Sequence, residues 1–144
     1  MLAIPWPVGV GPPSGVGFIW YFDNTTPVGD QYLYSIDKAW IVENVGDFNG
    51  DGYVDFFFRN LNSGLGFVWY WDGSSLGASN FLFSIDPVWQ VVEIVDWNND
   101  GKVDLLFRND STGVTFVWYT DGNSLQGSDF LFQVDPSWKI VPYR

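Results

Sequence analysis

The chain contains no cysteine and no histidine. Disulfides, thiol nucleophiles, zinc sites of the usual kind and imidazole acid–base chemistry are therefore all excluded. Basic residues are scarce, six against seventeen acidic ones, for a formal net charge of −11. A polyanion would be repelled, and no basic patch overcomes that, so nucleic acid is excluded as a partner. No apolar run reaches the ~18 residues that point to a membrane-spanning helix, so no segment is expected to insert in a membrane. The opening MLAIPWPVGVGPP lacks a basic n-region and a continuous apolar core, and does not read as a secretory signal. No stretch sustains a helical period.

Aromatic residues are plentiful: nine Trp, thirteen Phe and seven Tyr make up 20% of the chain, against 16% charged residues. That balance argues against disorder. The 144 residues suffice for one domain with a sizeable core. Apolar residues come in short bursts broken by Gly, Asn, Asp, Ser and Pro, the pattern of many short strands.

The chain also repeats itself. Residues 14–62 align with residues 63–111 without a gap, and residues 112–144 begin a third copy that stops early. Trp20, Trp69 and Trp118 share a column, as do Trp40, Trp89 and Trp138, and Asp37, Asp86 and Asp135. The expected organisation is thus an N-terminal extended segment (1–13), two 49-residue repeats and a truncated third, all in one domain. In the second copy the strand-like bursts are Phe67–Trp71, Asn80–Ile85, Gln90–Val95 and Lys102–Arg108. Four antiparallel strands in such a period predict an all-β array of propeller-type blades.

Within the repeat lies an acidic loop, DFNGDGYVD at Asp47–Asp55 and DWNNDGKVD at Asp96–Asp104. Oxygen-bearing side chains stand at loop positions 1, 3, 5 and 9, and a hard cation such as Ca2+ needs several oxygens converging at about 2.3–2.6 Å. Two calcium sites are expected. An EF-hand reading fails, because it needs a bidentate Glu at position 12, where Phe58 and Phe107 stand. A catalytic metal is a poor fit, with no His and no nucleophile beside the loops.

The run GDFNGDGYVDFFFRN followed by SGLGFVWYWDG resembles the FG-GAP/VCBS repeat family of integrin-type calcium-binding propellers, and the resemblance extends from Ser14 onward. It implies that each acidic loop joins the first two strands of a blade. It also implies a ligand set of Asp47, Asn49, Asp51 and Asp55 with the Tyr53 carbonyl, and of Asp96, Asn98, Asp100 and Asp104 with the Lys102 carbonyl. The second loop departs by having Asn99 where the first has Gly50. Whole blades are then expected at Trp40–Asp86 and Trp89–Asp135, preceded by two strands and followed by a lone strand at Trp138–Val141.

Repeated tryptophans are expected in the core, while Trp71, Trp97 and Trp6, which break the repeat, are candidates for a contact surface able to stack on sugars. Arg59 and Arg108 share a column and are expected to be structural tethers paired with the Asp37/Asp86/Asp135 column. Asn24 and Asn109 begin glycosylation tripeptides. Closed propellers have about four to eight blades, so three units cannot close alone. Another copy of the chain could cover the ends, with Leu2–Val10 lying on a partner's edge, as a six-bladed ring or as a filament; a longer array is the remaining option. The expected function is a non-enzymatic, calcium-stabilised, extracellular or cell-surface protein of homo-assembly, scaffolding or adhesion. A carbohydrate-binding module is the alternative, and an enzyme lacks a convincing pair of carboxylates outside the loops.

Overall fold

The structure is a computed structural model that describes residues 15–141 and the backbone of Leu2–Ala3. Among the described residues there are eleven strands and no helix. Strands β1 (Leu2–Ala3), β2 (Val16–Asp23) and β3 (Thr26–Ser35) form a first sheet in the order β1-β2-β3. Strands β4 (Trp40–Gly46), β5 (Asp55–Asn60), β6 (Leu65–Trp71) and β7 (Leu76–Ser84) form a second sheet in chain order. Strands β8 (Trp89–Val95), β9 (Asp104–Asn109), β10 (Val114–Thr120) and β11 (Leu125–Gln133) form a third on the same plan. The fold is all-β and propeller-like, with each sheet an antiparallel meander.

The chain divides into two compact units, Met1–Ile41 and Val42–Arg144. In the first, Ile19 and Tyr34 are buried, and a Cβ at Gly17 would run into the Tyr34 ring. The second unit holds the second and third sheets, apart from the first two residues of β4. Its core gathers Phe48, Phe57, Val68 and Phe83 with Val91, Ile94, Leu105 and Phe107. β5 and β9 are inner strands of their sheets, and Asp55–Arg59 and Asp104–Asn109 are buried along their whole length. That burial explains why FFF and LLF replace the usual polar alternation there.

The repeat governs the connections as well as the strands. Asp37, Asp86 and Asp135 each open a turn that closes on the N–H of Trp40, Trp89 and Trp138 at 3.0, 2.9 and 3.0 Å. Their carboxylates accept from the N–H two residues on, at 2.7, 2.8 and 2.9 Å, so these aspartates are turn formers. Gly15, Gly64 and Gly113 all have positive φ, and a Cβ on any of them would collide with the carbonyl of Ile36, Ile85 or Val134. Only glycine serves there. Asn60 and Asn109 accept two backbone N–H groups each, at 2.9–3.0 Å, and so hold the turn that leads to β6 or β10.

Several expectations need correction. Residues 134–141 form no strand, so the lone strand at Trp138–Val141 is absent, and Trp138 is 69% exposed. Leu2–Ala3 pairs antiparallel with Trp20 and Tyr21 of its own chain rather than waiting for a partner's edge; Ile4–Val10, with Trp6, lies outside the described residues. β9 begins at Asp104 instead of Lys102, and β7 begins at Leu76 instead of Asn80, because Ser79 still pairs with Trp69. The Trp20/Trp69/Trp118 column is not uniformly core, for Trp20 is 41% exposed while Trp69 and Trp118 are half-buried.

The arginine tethers exist without the expected ion pairs. Buried Arg59 donates from Nη2 to the carbonyls of Ile85 and Asp86 at 2.8 and 3.3 Å, and its nearest carboxylate is Glu43 at 3.7 Å. Arg108 donates to the carbonyls of Asp135 and Trp138 at 3.4 and 2.9 Å. Both guanidinium groups therefore pin the chain segment that follows the last strand of their own sheet. The repeated aspartates contribute carbonyls, and their carboxylates are spent on the turn.

Candidate functional site

The two acidic loops join β4 to β5 and β8 to β9, the first two strands of each four-stranded sheet. Asp47 folds the first loop about itself: Oδ1 accepts from Gly50 at 2.7 Å and Asp51 at 3.1 Å, and Oδ2 from Gly52 at 2.9 Å. Asn49 Oδ1 accepts from the N–H of Asp51 at 3.0 Å, and its Nδ2 donates to Asp51 Oδ2 at 2.9 Å. Asp51 Oδ1 accepts from the N–H of Tyr53 at 2.8 Å. The second loop repeats the plan, with Asp96 accepting from Asp100 and Gly101, Asn98 bonded to Asp100, and Asp100 accepting from the N–H of Lys102. Asn99 takes φ 62° where Gly50 has φ 78°. Asparagine tolerates that left-handed backbone better than most residues, so the substitution keeps the loop shape.

The ninth position behaves differently from the others. Asp55 is fully buried; its Oδ2 accepts from the N–H of Phe48 at 2.9 Å and its Oδ1 from the N–H of Trp71 at 3.0 Å. Asp104 does the same with Trp97 at 2.9 Å and Thr120 at 3.0 Å. Burial pushes the Asp55 carboxyl above its ordinary range, the backbone N–H groups of Trp71, Phe48 and Asn49 pull it back, and the nearby Asp51 charge pushes it up again. These two aspartates clamp the loop onto the neighbouring strand.

The donor chemistry of each loop fits a hard divalent cation, with three carboxylates, one amide and the carbonyl of Tyr53 or Lys102. Asp47 and Asp96 are half-buried, and Asn49, Asp51, Asn98 and Asp100 are open to solvent, as is Tyr53, while Lys102 is half-buried. Among the described residues, however, no three acidic, His or Cys side chains converge as a metal cage. Most loop oxygens are occupied by N–H groups instead. A cation entering either loop would have to draw carboxylates away from those bonds, the Asn49–Asp51 and Asn98–Asp100 side-chain pairs being the most exposed.

The aromatic candidates separate. Trp71 is 4% exposed and packs edge-on against Phe56 at 6.3 Å, so its ring is not available to a surface ligand. That corrects the expectation of a contact role, which rested on its break with the repeat. Trp97 is 45% exposed, although Phe48 in the equivalent place is buried.

The position equivalent to Trp71 in the third sheet is Thr120, and there the structure has an open pocket of about 380 Å³. Asn98, Asp100 and Lys102 of the second loop line it, with Tyr119, Asp121 and Gln126 opposite. Tyr119 donates its hydroxyl to Asp129 at 3.0 Å, and Asp121 accepts from the N–H groups of Asn123 and Ser124, which hold its carboxyl low. Sequence reasoning missed this pocket. Its signal was the small Thr120 in a column otherwise filled by Phe22 and Trp71.

Residues 47–107, from the first acidic loop through most of β9, match the FG-GAP-like repeat. That match spans less than half of the chain and marks a similarity to the FG-GAP-like repeats. No curated protein and no solved structure matches the chain.

Proposed function

We propose that this is a non-enzymatic repeat protein that assembles with copies of itself outside cells or at their surface, as a scaffold or adhesive element, with calcium held in its two acidic loops. The observation that carries the reading is the way the second and third sheets share one aromatic core. Phe83 of the second meets Phe107 and Trp118 of the third at 5.2 and 6.2 Å between ring centroids. Sheets that stack in this manner form arrays, and the two stacked here are fewer than the about four to eight blades of a closed propeller. Further chains would complete a ring or extend a filament.

Calcium would act here as a structural ion. It would neutralise carboxylates crowded into loops that are already folded by backbone hydrogen bonds, and extracellular calcium suits open loops of moderate affinity. The acidic excess of the whole chain is consistent with that use. Sedimentation velocity over a concentration series in calcium tests the assembly: species larger than one chain are expected, and a lone single-chain species at every concentration contradicts it.

A second reading is favoured by the pocket beside Thr120. A binding site for a neutral, hydroxyl-rich ligand such as a sugar would use Asp100, Asp121 and Gln126 as hydrogen-bond partners and Tyr119 as an apolar wall. A glycan array probed with the wild-type chain and Tyr119→Ala separates the two readings, since selective glycan capture lost in the variant supports binding as the main task.

A further inference from the structure

The interface between the second and third sheets is asymmetric, and its two sides can be traced along the repeat. The second sheet supplies protruding groups, Phe48, Val68 and Phe83, which are 1%, 0% and 5% exposed. The third supplies the receiving surface, where Phe83 stacks on Trp118 and lies edge-on to Phe107, with Phe116 packed alongside. Polar contacts flank the aromatic core: Tyr70 donates to Asn123 Oδ1 at 3.2 Å, and Asn80 Nδ2 donates to the Asn123 carbonyl at 2.6 Å.

One repeat further along, the protruding positions are Trp97, Val117 and Phe132. Val117 is buried within its own sheet, but Trp97 is 45% and Phe132 39% exposed, so the two large aromatics that are covered in the second sheet stand uncovered in the third. Two repeats back, the receiving positions Phe116 and Trp118 become Phe18 and Trp20. Both are 41% exposed, whereas Phe116 and Trp118 are half-buried. The chain thus carries one uncovered protruding face at Trp97 and Phe132, and one uncovered receiving face at Phe18 and Trp20.

We infer that these two faces dock onto each other between copies of the chain, with Phe132 and Trp97 of one copy seated against Trp20 and Phe18 of the next. The inference rests on the assembly reading above and gives it a surface and a polarity. A second copy is the occupant because it brings the matching face in the register that the second and third sheets already use. The contact is heterologous, head to tail, so it builds a ring where the rotation closes and a filament where it does not. Burying aromatics of this size is the usual source of binding energy at such a contact.

One polar element of the internal interface is not reproduced. Asp129 stands where Asn80 donates, and its carboxylate accepts from Tyr119 at 3.0 Å. The position facing it, equivalent to Asn123, is Thr25 in the next copy, whose carbonyl would find no donor. The docked interface is accordingly weaker than the internal one, as befits a reversible assembly.

The test uses full-length chains carrying Phe132→Asp or Trp20→Asp, followed by sedimentation velocity in calcium. Each variant alone is expected to remain a single chain, because one of its two faces is spoiled. Mixed in equal amounts they are expected to form a 1:1 pair and nothing larger, since Trp20→Asp keeps a sound Phe132 face and Phe132→Asp a sound Trp20 face. If the wild type assembles while the mixture stays monomeric, this interface is overturned and the assembly reading survives. If the wild type is itself a single chain throughout, both fall. Asp129→Asn, which restores the donor without touching the core, is expected to tighten wild-type assembly about threefold to tenfold; an unchanged constant counts against the docking geometry even where an aspartate variant has misfolded.

Discussion

Asp55 Oδ1 accepts the backbone N–H of Trp71 at 3.0 Å, so the last residue of the acidic loop holds the far end of β6 while its other oxygen holds Phe48. Asp104 repeats the arrangement with Thr120 and Trp97. The ninth loop position is therefore a clamp in its own right. Asp55→Ala orphans two N–H donors, one on each segment, at ~1–3 kcal/mol for each buried donor left unpaired. Urea melts are expected to show ~2–6 kcal/mol lost with calcium or with chelator. Asp51→Ala, by contrast, removes an exposed carboxylate and is expected to lower stability in calcium only.

How much of this was legible beforehand divides along the same residues. The repeat and its alternation placed the four-stranded sheets and the loops between their first two strands, because period and turn chemistry are local properties. The direction in which Asp55 points was not legible: positions 1, 3, 5 and 9 look alike as letters, and only the fold shows that the ninth faces inward. Trp71 misled for a related reason. Its break with the repeat suggested exposure, whereas it fills space that Thr120 leaves open in the third sheet. The arginines misled in their choice of partner: Arg59 donates to the carbonyls of Ile85 and Asp86 and faces Glu43 at 3.7 Å, not the carboxylates of the repeated aspartates.

Phe83 is the aromatic on which the second and third sheets meet, in contact with Phe57, Phe107 and Trp118. Phe83→Ala should destabilise the chain by ~3–5 kcal/mol, the usual cost of emptying a packed phenylalanine site. Phe81, on the same strand and 50% exposed, provides the control; Phe81→Ala should cost much less in the same denaturant titration.

Gly64 has φ +73°, and a Cβ there would meet the carbonyl of Ile85. That carbonyl lies in the segment that Arg59 pins. Gly64→Ala is expected to cost ~1–3 kcal/mol or more from backbone strain alone, with the collision in addition. Gly77→Ala meets nothing nearer than the Tyr70 carbonyl at 3.9 Å and should be close to neutral in thermal melts.

Glu43 gives a pH signature. Burial pushes its carboxyl above the ordinary 4.5, while the N–H of Val91 at 3.1 Å and the Arg59 guanidinium pull it back in part. A carboxyl whose folded pKa is raised binds its proton more tightly in the folded state, so its contribution to stability falls as pH climbs from the unfolded value to the folded one. Glu43→Gln lacks that slope. Its stability relative to wild type should therefore rise with pH across the window just above 4.5 and then level off. Paired urea melts across the carboxylate range check this, and a difference constant with pH would show that Glu43 does not titrate as its burial requires.

Calcium held in the two acidic loops as a structural pin, as proposed, should show when the full chain is melted in calcium and again in excess chelator. With two sites saturated about a hundredfold above their dissociation constants, linkage supplies ~2.7 kcal/mol per site. The midpoint is expected to be lower in chelator by ~10 °C or more, with the gap reduced by Asp51→Ala or Asp100→Ala and closed by the two together. Coincident melting curves, with no heat on titrating calcium into the metal-free chain, would contradict it.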